Sequence, residues 1–206
     1  MNERGPAVRK RREDRRVQRT RVALGRALVE SMLAEEFDAI TVQSLLDRAR
    51  VSRTTFYAHF RDKDDLLLSD AERFLEALER HFETACGARV APVAELFQHV
   101  REFREFDRAL ARSGRRGQVY ALFMGHLARM IEKRIQALAP GANDVTLISR
   151  MFSGALMELL HWWLERDSVH TPAWIDHRFH ELVWAGLRGQ KPSASSSTGR
   201  TFRRTL

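Results

Sequence analysis

A chain of 206 residues, 44% hydrophobic and 30% charged, carries enough apolar material for one large or two small cores, and no apolar run long enough to span a bilayer. The single cysteine, Cys86, excludes an intramolecular disulfide, and the basic N-terminus lacks the apolar stretch of a secretory signal, so a cytoplasmic location is expected. The net charge of +8 is unevenly placed: residues 1–63 hold 15 Lys/Arg against 9 Asp/Glu, residues 64–187 hold 15 against 18, and residues 188–206 hold five basic residues and no acid. Such asymmetry points to a polyanion partner at the N-terminal end; basic tails that serve solubility alone are the alternative.

Residues 1–13 contain Gly5-Pro6 and a dense run of basic side chains, and are expected to form a disordered arm. From Asp14 apolar residues recur at helical spacing (Val17, Leu24, Leu28, Met32), which predicts a first helix to about Glu36. Thr41 reads as the N-cap of a second helix through Leu45, Leu46 and Ala49. Arg50-Val51 is a tight turn, Ser52 a second N-cap, and Arg53 to Phe60 a short third helix. Asp62 and Lys63 lead into a fourth helix carrying Leu66, Leu67, Phe74, Leu75, Leu78 and Phe82. Gly87 to Pro92 interrupts the pattern, and further helices are predicted near 92–112, with a break around 102–105, and over 117–139, 144–167 and 172–188. Residues 189–206 form a Ser-rich basic tail with nothing to pack. No period-two segment stands out, so the fold class expected is all-α: an N-terminal helix-turn-helix domain over 14–63 and a helical domain over 64–188.

Two short helices joined by a very short turn are the helix-turn-helix arrangement, in which the N-terminal residues of the second helix reach base edges. Val51, Phe56 and Phe60 have the spacing of a core-facing stripe, which leaves Arg53, Thr54, Tyr57 and Ala58 facing outward. An outward Arg can engage a guanine edge bidentately and a Thr methyl can touch a thymine methyl. Thr41, Thr55, Tyr57, His59 and Lys63 are donors suited to phosphate oxygens, and the helix starts at Thr41 and Ser52 add backbone N–H groups.

The stretch from Ala49 to Leu66, ARVSRTTFYAHFRDKDDL, resembles the V-S-x-x-T-F/L-Y-x-H-F-x-x-K-x-x-L signature of the TetR/AcrR family of transcriptional regulators. Ile40-Thr41-Val42 and Leu45-Leu46 extend the likeness, which covers about residues 14–67. The resemblance implies that Thr55, Tyr57 and Lys63 hold the phosphate backbone and that Arg53 and Thr54 face bases. It implies a repressor that binds a palindromic double-stranded DNA operator as a homodimer, and an effector-binding C-terminal domain. The alternative is a nucleic-acid binder without sequence preference, whose affinity comes from the basic arm and tail. The arm, Arg9 to Arg21, either contacts the minor groove or phosphates beside the operator or is the solvated end of the first helix.

In the C-terminal half, Phe152, Leu156, Leu159 and Trp163, with Phe179 and Val183, form stripes broader than one core face, which fits a four-helix interface between two subunits as well as burial within one. Phe97, Phe103, Phe106, Tyr120, Phe123, Met124 and Leu127 fit either an ordinary core or a cavity for a small apolar or aromatic effector, with Arg101, Arg104 or His126 as its polar contact. His161-Trp162-Trp163 reads as packing or as an aromatic cage for a cation. His177 and His180 have no accompanying ligand pattern, and no Gly-rich phosphate loop, nucleophile elbow or His-Glu metal signature occurs, so no catalysis, cofactor or metal is expected.

Overall fold

The computed structural model describes residues 5–84, 86–166 and 169–188, with side chains described only between 16 and 187. The elements are α1 (Gly5–Ala34), a 3-10 turn (Phe37–Ala39), α2 (Val42–Ala49), α3 (Arg53–Tyr57), α4 (Lys63–Glu83), α5 (Val93–Glu102), α6 (Arg104–Arg112), α7 (Arg116–Leu138), α8 (Val145–Glu165) and α9 (Pro172–Arg188). The all-α expectation holds for them, and the break near 102–105 separates α5 from α6. Among the described residues no helix is long and apolar enough to cross a membrane.

Two boundaries differ from expectation. Helix α1 begins at Gly5, so residues 5–13 of the expected arm are helical. Pro6 lies in the first turn, where its missing N–H has no intrahelical partner to lose, and the Ala, Arg and Lys that follow are good helix formers. Residues 1–4 and the expected tail over 189–206 lie outside the described residues. Helix α3 stops at Tyr57 rather than Phe60. The chain must turn there, because Asp62 takes up an extended conformation and caps α4 by accepting from the Asp65 N–H at 2.7 Å.

Two cores meet along α4. The first gathers Leu24, Leu28 and Met32 of α1, Leu45 and Leu46 of α2, Phe56 of α3, and Leu66 and Leu67 of α4. It also takes Ala109 and Leu110 from α6 and Val119 from α7, so the reading head is completed by residues far beyond position 63. In the second core α7 runs along α8 and α5 packs on α9, burying Phe97, Leu127, Ile131, Leu156, Leu160, Trp163, Phe179 and Val183.

The crossing of α1 and α4 is tight at one point. A Cβ placed on Gly25 would stand 2.3 Å from Asp70 Oδ1 and 2.8 Å from its Cγ. Only a hydrogen at position 25 lets the carboxylate lie on α1. Gly25→Ala is expected to displace Asp70 at a cost of about 1 kcal/mol or more, set against roughly 1 kcal/mol gained in helix propensity; urea unfolding of Gly25→Ala alone and beside Asp70→Ala separates the two, with the substitution more stabilising once Asp70 is removed, and an equal effect in both backgrounds would mean the contact is loose.

Candidate nucleic-acid interface and effector cavity

The turn between α2 and α3 is set by backbone chemistry. Arg50 adopts the left-handed conformation (φ 55°) at the C-terminus of α2, and the Val51 N–H bonds the Leu46 carbonyl at 3.0 Å. This is a helix stop usually given to Gly, and a non-Gly residue there is strained by about 1 kcal/mol or more. Thr41 Oγ1 accepts from the Ser44 N–H at 3.0 Å, and the Thr41 N–H donates to Ser44 Oγ at 3.2 Å, a reciprocal capping box. Ser52 Oγ accepts from the Thr55 N–H at 3.2 Å and shares a hydrogen bond with Thr55 Oγ1 at 2.7 Å. Thr41, Ser52 and Thr55 therefore hold the shape of the head with their hydroxyl oxygens, those of Thr41 and Thr55 being ones expected to meet phosphate.

Phe56 is fully buried, and Phe60 nearly so. Burying one such ring is worth roughly 1.5–3 kcal/mol, enough to fix which side of the five-residue α3 faces inward. The opposite side exposes Arg53, Thr54, Tyr57 and Ala58, while His59 is half-buried. Tyr57 is 50% exposed, edge-on to Phe56 at 5.3 Å, with the Arg53 guanidinium 5.8 Å from its ring. Arg53, Thr54 and Tyr57 thus form one continuous outward patch, as expected.

Lys63 does not join it. Its Nζ donates to the carbonyls of Phe37 (2.6 Å), Ile40 (2.8 Å) and Asp38 (3.3 Å) and sits 4.7 Å from the centre of the Phe37 ring. An ammonium has three protons, and all three are taken by carbonyls of the 3-10 turn and of Ile40 just after it. The ammonium expected at phosphate is thus engaged with residues 37–40 in this structure, where its charge ties α4 to that turn.

Between the two cores lies a cavity of about 280 Å³. Four of the seven expected effector residues line it, namely Phe103, Phe106, Tyr120 and Phe123. Phe97 and Leu127 are fully buried in the second core, Phe97 against Trp163 at 5.3 Å, and Met124 opens instead into a surface groove between α7 and α8. The polar residues differ too. Arg101 and Arg104 border another depression and His126 pairs with Glu79, whereas the cavity presents Asp70, His99, Asp107 and Tyr120. Burial raises the Asp70 carboxyl and lowers His99, with Arg73 and Glu102 respectively opposing. Asp107 pairs with Arg116 and accepts from the Tyr120 hydroxyl at 3.1 Å; burial and that carboxylate push the phenol up. These acids carry no periodic signal in the sequence, and only the meeting of α4, α5, α6 and α7 brings them together.

Residues 26–69 match the model of the bacterial regulatory proteins of the tetR family, and residues 92–184 match a transcriptional regulator C-terminal region. The chain belongs to the TetR family of transcriptional regulators. A stretch of 74 residues is 36% identical to the uncharacterized HTH-type transcriptional regulator YxbF of Bacillus subtilis (strain 168), covering 35% of this chain and 19% of that one, so the match spans about a fifth of the relative's length. Among solved structures, the dihydroxyacetone kinase operon activator DhaS superposes with a TM-score of 0.64 at 15% identity, covering 82% of this chain and 96% of DhaS. A TetR transcriptional regulator from Streptococcus agalactiae 2603V gives 0.57 at 21% identity, covering 83% of this chain and 97% of that one. At these identities the superpositions speak to fold alone.

In this TetR-family chain the residues expected at a subunit interface divide differently from the sequence reading. Leu156, Trp163, Phe179 and Val183 point into their own core, with Phe152 and Leu159 packed at its edge, and the Trp163 indole donates to the His170 carbonyl at 2.8 Å. The reason is that α8 is apolar nearly all round, and α7 claims the larger residues. The other side of α8 leaves Leu147 (59%), Met151 (63%) and Trp162 exposed, the first two in a four-residue repeat with Ala155, and Leu182 of α9 is exposed as well. Gly154 and Gly186 have open space where a Cβ would be.

Lys63→Ala leaves three carbonyls without their cation, and the expected loss is about 1–3 kcal/mol of stability, read from the urea midpoint with no DNA present. A side chain that served phosphate alone would leave that midpoint where it was.

Proposed function

We infer that this TetR-family regulator is a repressor that binds a palindromic operator as a homodimer and is released by a small-molecule effector. The observation that carries the DNA-reading part is the patch of Arg53, Thr54 and Tyr57, turned outward by the buried Phe56 and Phe60. In this reading Arg53 and Thr54 meet base edges and Tyr57, with Thr55 and the half-buried His59 beside it, lies along the phosphates. Thr41 and Ser52 act by shaping the head. Repression needs only occupation of the promoter and release from it, which a head and a cavity in one chain supply.

Dimerisation is supported by the outer faces of α8 and α9. Leu147, Met151, Trp162 and Leu182 expose apolar surface with small residues between them, the composition that lets a second helix pair approach closely. Two heads are also what two half-sites one helical turn, roughly 34 Å, apart require. Effector release is supported by the cavity, whose walls include α6 and α7 residues neighbouring those that complete the head's own core. Bound and free states then differ in the population of DNA-competent head spacing.

Two measurements test this. With the palindrome upstream of the chain's own gene as probe, fluorescence anisotropy is expected to show that Arg53→Ala and Thr54→Ala each lose about 1–3 kcal/mol of preference for operator over random duplex. Retention of that preference in the double variant places base reading at other residues, and the absence of any preference in the unsubstituted chain assigns binding to sequence-blind electrostatics. In sedimentation, Leu147→Glu with Met151→Glu is expected to turn the dimer into a folded monomer with weakened operator binding; a dimer that survives both places the interface elsewhere.

A further inference from the structure

We propose that the cavity between the two cores is built for an amphipathic amine, an aromatic or aliphatic body carrying an ammonium group that Asp70 recognises. The proposal rests on the effector reading above and specifies its ligand.

The walls are aromatic. Phe74 stacks on His99 at 4.0 Å and 22° and faces Phe123 at 5.9 Å and 21°, and His99 meets Phe103 at 4.6 Å. A flat apolar body lying on these rings buries its surface without leaving a polar group unpaired. The charges come next. Among the lining residues the charged side chains are Asp70 and Asp107, with no lysine or arginine. Their partners, Arg73 and Arg116, are not among the lining residues. Burial lowers the His99 imidazole, against the opposing pull of Glu102, and so disfavours its charged form. A ligand therefore meets carboxylate side chains and aromatic faces with no cationic side chain on the wall, a lining that favours a cation over a carboxylate.

The two aspartates are not equivalent. Asp107 has a partner on each oxygen, Arg116 on Oδ2 and the Tyr120 hydroxyl on Oδ1. Asp70 pairs with Arg73 through Oδ1 at 2.9 Å, and its Oδ2 accepts no hydrogen bond from the described residues. Asp70 Oδ2 is thus an acceptor without a hydrogen bond from the described residues, in a wall whose other polar groups are His99, Asp107 and Tyr120. Burial of a carboxylate is costly until a donor meets it, and an ammonium is the donor that answers charge and hydrogen bond together.

Three isosteric probes separate the possibilities: phenylbutylamine, phenylbutanol and phenylbutanoate, titrated into the full chain by calorimetry without DNA, so that the outcome is independent of operator recognition. The amine is expected to bind about tenfold more tightly than the alcohol, the equivalent of one charge-assisted hydrogen bond, and the carboxylate more weakly than either. Asp70→Asn is expected to bring amine and alcohol within about twofold of each other, with Asp70→Ser giving the same levelling should Asn perturb folding. A carboxylate that binds as well as the amine, an amine preference that survives both variants, or no binding by any of the three overturns the proposal. If the amine binds as expected but leaves operator complexes intact, the ligand assignment stands and effector release is what fails.

Discussion

The structure turns on one ring. Phe37, 2% exposed, lies between two cations, Lys63 Nζ at 4.7 Å and the Arg115 guanidinium at 4.3 Å. Lys63 holds the carbonyls of the turn around it, and Arg115 reaches from the α6–α7 connection to Asp38 and Asp64, each at 3.0 Å. Those carboxylates and their hydrogen bonds hold the Arg115 charge firmly in place, its pKa raised chiefly by the Asp64 contact. Cation–π pairs and exposed ion pairs are each modest, of order 1 kcal/mol. Here they converge on a buried aromatic residue, so that the start of α4, the turn before α2 and the end of α6 share one joint.

That joint explains why the reading head is not an independent module. Ala109, Leu110 and Val119 pack into the head's core, while their neighbours Phe106, Asp107 and Tyr120 line the cavity. Asp70 is placed in the same manner, lining the cavity while lying against Gly25 of α1. Close-packed interiors transmit displacement instead of absorbing it. The cavity wall and the head's packing therefore share residues at the α1–α4 crossing and near the α6–α7 turn.

The head was largely legible in the sequence because its signals are local. A cap, a short helix, a two-residue turn and a second cap follow one another within twenty residues, and the Phe56–Phe60 spacing alone orients α3. Lys63 escaped this reading: its partners are the carbonyls of residues 37, 38 and 40, which have no side-chain signature. The early start of α1 escaped as well, since charge density argued for disorder while the residues themselves are good helix formers. In the C-terminal half, Phe103, Phe106, Tyr120 and Phe123 were recognisable as aromatic, but nothing in one dimension separates a ring lining a cavity from one packed solid, as Phe97 and Leu127 are.

The sequence by itself determined the helical class, the reading helix and its outward face, because periodicity and capping act over distances of three or four residues. Tertiary structure alone decided which side of α8 and α9 the chain keeps for itself, since both sides are apolar and only the approach of α5 and α7 chooses between them. It also decided that two aspartates far apart in the chain share one aromatic cavity with their arginines left off its wall. Burial and charge pairing depend on which helices meet, and that is a property of the whole packing and of no single segment.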